Sequence, residues 1–189
     1  MPRLVGCLAL LVSLLGFAAA AGARTVFVID PSRTHVGFEI AATGFPVTRG
    51  EFRSFEGRLT VDFDVPARSR VAFKVAAASL DTQSRSLDDY IKSPVFLDAA
   101  KYPTISFSST AVEKLDERTV RVTGDMTLLG VTRPATFTVT VERRGRGGRQ
   151  ILGFLAKGTI HRSEFGMISG QPLVSDVVAI WVATEAQAE

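Results

Sequence analysis

The chain has 189 residues, 46% of them hydrophobic, with 22 basic against 19 acidic side chains and a net charge of +3. That balance is too even for a nucleic-acid-binding surface, and a single cysteine excludes an internal disulfide framework. The length suits one domain with a sizeable core.

The first element is a leader. Arg3 supplies a positive start, Leu4 to Ala21 is an almost unbroken apolar or small-residue run, and Ala21-Gly22-Ala23 has the small-x-small form of a cleavage site. This predicts a signal peptide over residues 1–23, cut before Arg24, with the working domain over residues 24–189. A membrane anchor is the rival reading for a run of this length, but the cleavage pattern argues for removal. Leu4-Val5-Gly6-Cys7 has the order of a lipid-attachment box, yet the apolar run follows Cys7 instead of preceding it. Cys7 would leave with the leader, so the mature chain would be held by packing alone.

The rest of the chain alternates with period two, the pattern of half-buried strands. Val36, Phe38 and Ile40 begin the series. Val71, Phe73, Val75 and Ala77 continue it, followed by Ile105 and Phe107. Val120, Val122, Gly124, Met126 and Leu128 form a longer run, and Phe137, Val139 and Val141 alternate with Thr136, Thr138 and Thr140. Leu152, Phe154, Ala156 and Ile160 come next, and Val178, Ile180 and Val182 close the chain with Trp181 on the opposite face. Turn signals stand at Pro31-Ser32, Asp64-Val65-Pro66, Asp116-Glu117, Gly130 and Gly145 to Gly148. Pro134 falls early in a strand, where a missing N–H is tolerated.

One segment departs from this pattern. Between Ser79 and Lys101 the spacing of Leu87, Tyr90 and Ile91 is helical, Ser86 is a candidate cap, Asp88 and Asp89 favour a first turn, and Pro94 stops the helix. About eight long strands joined by short turns indicate a barrel or a sandwich. Several segments run about ten residues where five or six is usual, which favours a barrel wide enough for one small ligand. The fold class is therefore all-β, an eight-stranded antiparallel barrel with one short helix as lid or side cover.

Catalytic and metal signals are weak. His35 and His161 are far apart in sequence with no zinc-binding spacing, and Asp88-Asp89 lacks the ligand ladder of a calcium loop. There is no nucleophile elbow. His161-Arg162-Ser163-Glu164 is the best polar cluster, and it reads equally as a hydrogen-bonded corner. The run Arg143-Arg144-Gly145-Arg146-Gly147-Gly148-Arg149 reads as a solvated hairpin tip, with contact to anionic headgroups as its functional alternative. Phenylalanine is the commonest aromatic, 13 against two tyrosines and one tryptophan, which suits either a core or an apolar tunnel.

Four stretches carry a resemblance: Asp30 to Phe38 (DPSRTHVGF), Ser93 to Ser109, Val122 to Pro134 (VTGDMTLLGVTRP) and His161 to Met167 (HRSEFGM). Together, in order over nearly the whole mature chain, they resemble the YceI-like family of polyisoprenoid-binding, lipocalin-like secreted proteins. The resemblance implies an extended barrel with a helix beside it, a long apolar tunnel for an isoprenoid or quinone-like amphiphile, a periplasmic or secreted location, and neither catalysis nor a separate cofactor. The sequence departs from the family around the helix, where members carry R-D-x-H-L and this chain has Leu87-Asp88-Asp89-Tyr90-Ile91, and again at Val95.

On this reading Phe38, Ile40, Phe73, Val75, Phe107, Met126 and Leu128 are candidates for the tunnel wall. Phe137, Val139, Phe154, Ile160, Phe165 and Trp181 complete it, with Asp30, His35 and Arg162 at the mouth. The expected function is to sequester or carry a long-chain isoprenoid or similar lipid, and transient membrane contact stays open. The alternatives are a lipid-acting enzyme that uses the polar groups near His35 and Ser163, and a structural accessory module of a membrane redox complex with a filled barrel.

Overall fold

The computed structural model describes residues 24–146 and 149–188. The leader expected over residues 1–23, and the Gly147-Gly148 part of the arginine-rich tip, lie outside the described residues. Ten strands follow in chain order: β1 (Thr25–Ala42), β2 (Phe45–Phe52), β3 (Phe55–Val61), β4 (Arg70–Ala76), β5 (Leu80–Asp81), β6 (Thr104–Lys114), β7 (Thr119–Leu128), β8 (Val131–Arg146), β9 (Arg149–His161) and β10 (Val174–Ala188). The helix α1 (Arg85–Lys92) stands between β5 and β6. Eight strands close a ring in the order β1–β10–β9–β8–β7–β6–β4–β3 and back to β1, every pairing antiparallel. Closure leaves this ring without a free edge for strand addition.

The ring is not the same at both ends. The first residues of β1, Thr25 to Val28, pair with β3, whereas Val36 to Ala42 pair with β2. The strand β2 leads on to the two-residue β5 rather than to β4. At that level α1 and the segment after it stand between β5 and β6, so the wall is finished by a helix where it runs out of strands. At the opposite end the wall is all strand, closed by the β3–β4 turn, with a short 3-10 helix at Pro66–Arg68, and by the β6–β7 turn.

Local chemistry explains most element limits and corrects three expectations. Pro31-Ser32 does not end a strand. The Asp30 carboxylate accepts from the Ser32 N–H (2.9 Å) and hydroxyl (2.6 Å), and β1 passes through as a bulge, with pairing to β10 lost after Ile29 and resumed at Thr34. The residue before α1 is Ser84, not Ser86, and its side chain makes no capping bond. The anchor is Asp88 instead, whose carboxylate accepts from the Thr82 N–H (2.7 Å) and hydroxyl (2.6 Å). Finally, β2 and β3 were not among the expected strands. Gly50 and Gly57 occupy positions where a Cβ would overlap Phe38 and Phe73 respectively, so glycines interrupt the inward apolar series, including Phe52 and Leu59, that alternation is read from.

The β7–β8 hairpin turns on Leu129 and Gly130, both with positive φ (54° and 72°), the geometry of a two-residue type I′ turn. Val131, a poor turn residue, is already the first residue of β8. Pro134 pairs with Asp125 of β7, and β8 meets β9 only from Phe137 onward, so the missing N–H sits where the strand has a partner on one side.

Candidate functional site

The period-two pattern places one face of each strand inside the ring. In β7 and β8, Val122, Met126, Leu128, Phe137, Val139 and Val141 line a cavity. Thr136 and Thr138 stand exposed, and Thr140 is not among the lining residues. The outer threonines pair across the strands, Thr123 with Thr136 (3.2 Å) and Thr127 with Thr132 (2.8 Å), which stabilises the sheet from the solvent side.

The cavity is about 1080 Å³ and runs from the helix to the opposite end of the barrel. Packing defects in protein interiors seldom exceed a water molecule, whereas ligand pockets span roughly 300–1,000 Å³. The interior is therefore built open, unlike the filled barrel expected of a purely structural module. Aromatic pairs brace its wall. Phe107 meets Phe137 edge-on at 5.2 Å, Phe38 lies 6.0 Å from Phe52, and Phe55 stacks on Phe73 at 5.9 Å.

The two ends differ in chemistry. At the helix end the lining is Leu87, Tyr90, Ile91, Phe96, Leu97, Met167 and Val174. None of the helix residues is fully buried, and Tyr90 packs edge-on against Phe96 at 5.1 Å. At the other end the lining includes Asp62, Arg70, Lys114, Asp116, Glu117, Arg118 and Glu142. The Arg118 N–H donates to the Asp116 carboxylate (2.8 Å) and holds it below the usual carboxylate range. Asp62 is buried, with one oxygen accepting from the N–H groups of Asp64 (3.1 Å) and Val65 (2.8 Å) in the β3–β4 turn.

Of the expected wall residues, Phe38, Ile40, Phe73, Val75, Phe107, Met126 and Leu128 line the cavity, as do Phe137, Val139, Phe154 and Ile160. Phe165 and Trp181 do not. Phe165 is buried in a cluster with Leu80, Leu97 and Leu128. Trp181 is out of phase with Val178, Ile180 and Val182, and its indole covers Gly37 on the outer face, where a Cβ would overlap it. The expected mouth also changes. Asp30 is spent on the β1 bulge and lies 3.6 Å from Arg33, and His35 faces Glu51 (3.6 Å) on the outside. Arg162 borders the cavity but is wholly buried and donates to four carbonyls: Ser175 (2.8 Å), Met167 (2.7 Å), Ser169 (2.8 Å) and Val174 (3.0 Å). Burial lowers its pKa, and Asp176 opposes that shift. A guanidinium keeps its charge in such a site. It fastens the loop before β10 and commits four of its five N–H donors to that task.

The cluster around Ser163 is also a corner. Asp176 sits at its centre, accepting from the Ser163 N–H (2.9 Å) and hydroxyl (2.9 Å), with His161 Nδ1 at 3.2 Å. These contacts hold the Asp176 carboxylate below its ordinary range, the Ser163 N–H foremost. A nucleophile relay needs the imidazole between the hydroxyl and the carboxylate. Here the carboxylate takes both donors.

The lid residues Leu87 and Ile91 were visible as helical spacing in the sequence. Lys114, Arg118 and Glu142 carried no such signal, because only ring closure brings the hairpin ends together.

The family described as YceI-like domain matches residues 27–186 of the chain. A UPF0312 protein of Pseudomonas putida (strain W619) is 34% identical, the match covering 98% of this chain and 97% of the relative. Among solved structures, Burkholderia cenocepacia BcnA superposes with a TM-score of 0.76 at 25% identity, covering 83% of this chain and 98% of that one. A polyisoprenoid binding domain from Saccharophagus degradans, implicated in plant cell wall breakdown, shares the fold with a TM-score of 0.65 at 11% identity, over 88% of this chain and all of that one.

Proposed function

The chain belongs to the YceI-like family, and on that premise we propose that it binds a long-chain isoprenoid or similar amphiphilic lipid inside the barrel, to sequester or carry it. The observation that carries this reading is the apolar cavity of about 1080 Å³ spanning the barrel. The fold shared with a polyisoprenoid binding domain supports it. Each buried methylene contributes about 0.8 kcal/mol. A tail of about fifteen carbons thus gains roughly 12 kcal/mol before the ordering cost of roughly 4–15 kcal/mol is subtracted. Affinity should therefore rise steeply with tail length until the cavity is full, with little demand on polar contacts. A quinone-like amphiphile with such a tail would occupy the same space. A leader over residues 1–23, as the sequence pattern reads, would direct this activity to the periplasm or outside the cell, and mature protein from that fraction should then begin at Arg24.

The test is organic extraction and native mass spectrometry of purified protein, followed by titration with prenyl alcohols of increasing length. A bound or acquired apolar ligand, chemically unchanged and tighter with each added isoprene unit, is the expected result. A protein that is repeatedly empty and refuses every prenyl alcohol overturns the reading.

A further inference from the structure

Large apolar side chains exposed on this barrel are unevenly placed. Of eleven among the described residues, seven stand at the helix end, and the three most exposed are Phe45 (74%), Ile168 (64%) and Leu173 (61%). Single exposed apolar residues are ordinary, but a cluster on one rim marks a contact surface. Phe45 sits at the tip of the β1–β2 hairpin, and Ile168 and Leu173 sit on the loop before β10. The two loops touch, the Thr43 N–H donating to the Leu173 carbonyl at 2.8 Å. Neither loop carries charge: residues 40–48 and 165–175 contain no Asp, Glu, Lys or Arg, in a chain that is 22% charged.

Each exposed residue also stands next to one that lines the cavity. Phe45 pairs with Ala42, Ile168 follows Met167 and Leu173 precedes Val174, and all three neighbours line the interior. The uncharged loops of the rim thus also supply residues to the cavity wall. At the far end, a tail would have to pass Asp116, Arg118 and Glu142.

We propose that this uncharged rim seats in the headgroup–hydrocarbon boundary of a lipid bilayer, and that lipid enters and leaves the barrel there. The proposal rests on the reading of the cavity as a lipid site. A bilayer fits better than a protein partner. A protein interface surrounds its apolar centre with a polar, hydrogen-bonding rim, whereas these loops offer apolar tips on uncharged backbone turns. Interfacial insertion scales with buried apolar area. Binding should therefore be nearly indifferent to anionic lipid and to salt, unlike docking through the arginine-rich hairpin.

The test uses the full mature chain and a combined Phe45→Ser, Ile168→Ser and Leu173→Ser variant, with Val28→Ser plus Leu155→Ser on the barrel flank as control. Phe45→Ser alone serves if the combined variant does not fold. Wild type and control should co-sediment with phosphatidylcholine vesicles, and the rim variant should lose at least about tenfold in partitioning. All three should bind geranylgeraniol offered from solution equally, while the rim variant extracts it from vesicles at least about tenfold more slowly. Wild type that ignores vesicles, a rim variant that still binds them, or a protein partner held at this rim in place of vesicles overturns the proposal. Failure of wild type to take up geranylgeraniol from solution counts against the cavity reading instead, and vesicle sedimentation still decides the docking.

Discussion

The helix end and the hairpin end of the barrel close the same cavity by opposite means. At the hairpin end, short reversals join paired strands, and Phe27, Ile29, Leu59, Leu152, Phe154 and Ala186 form one buried cluster, with Ile29, Leu59 and Phe154 bordering the cavity. Phe27, Leu152 and Ala186 there are wholly buried. Its rim is charged, with Asp62 to Arg70 and Lys114 to Arg118 on the turns. At the helix end, the wall is completed by an eight-residue helix that buries no residue fully, and two rim loops, residues 40–48 and 165–175, are uncharged. An isolated helix this short is marginal in water, so its order depends on packing over the cavity. The helix end has a buried cluster of its own, with Leu80, Leu97, Leu128 and Phe165 in it, so the two ends differ in how thinly the covering element is buried and not in whether a core is present.

The largest effect expected is at Arg162, the buried arginine of the helix end. Arg162→Met should cost about 3–5 kcal/mol in urea denaturation, because four carbonyls lose their donor in a buried site. Arg162→Lys should not restore this, since an ammonium lacks the planar fork. A loss below about 1 kcal/mol would mean the loop before β10 is held by something other than that guanidinium.

A direct contrast comes next. Leu152→Ala at the hairpin end should cost about 2–5 kcal/mol, whereas Leu87→Ala on the half-exposed lid should cost less than about 1 kcal/mol. The lid variant should instead speed hydrogen exchange in α1 without changing exchange in β9. Equal costs at both sites would erase the distinction between a buried wall and a thinly buried cover.

The smallest effect concerns pH. The Asp176 carboxylate is held below its ordinary pKa, chiefly by the Ser163 N–H. A carboxylate with a depressed folded pKa contributes fully above its unfolded value, about 3.9, and loses that contribution as pH falls through the folded value. Asp176→Asn should therefore be less stable than wild type near neutral pH, with the gap narrowing as the pH drops below about 4. A gap that stays constant down to pH 2 would show that the corner is held by shape rather than by charge.

Legibility in the sequence followed the same division. The stretch Val122 to Val141 declared its two faces outright, since Val122, Met126 and Leu128 alternate with Thr123, Asp125 and Thr127, and Phe137, Val139 and Val141 with Thr136, Thr138 and Thr140. The segment Phe45 to Val61 did not, because its inward positions include Thr48, Gly50 and Gly57, where aromatic rings from neighbouring strands occupy the room of a side chain. Trp181 belonged by phase to the outer face, and its large apolar ring was misleading when taken as a wall residue. Arg162 read as a mouth residue because a tunnel for an amphiphile calls for a few polar groups at its opening, although the same run also read as a hydrogen-bonded corner. Nothing in the chain order announces that four carbonyls between Met167 and Ser175 fold around it.

The sequence by itself determined an all-β chain with one short helix, and which face of the regular strands is apolar, because side-chain alternation is a property of the extended backbone. Only the tertiary structure decided that β2 and β3 divide one edge of β1 and that a helix finishes the wall. The same closure set two uncharged loops side by side on one rim and gathered charged turns on the other. Ring closure pairs residues about 150 positions apart, as Thr34 and Thr184 are, and no local pattern encodes which distant segment will complete the cavity.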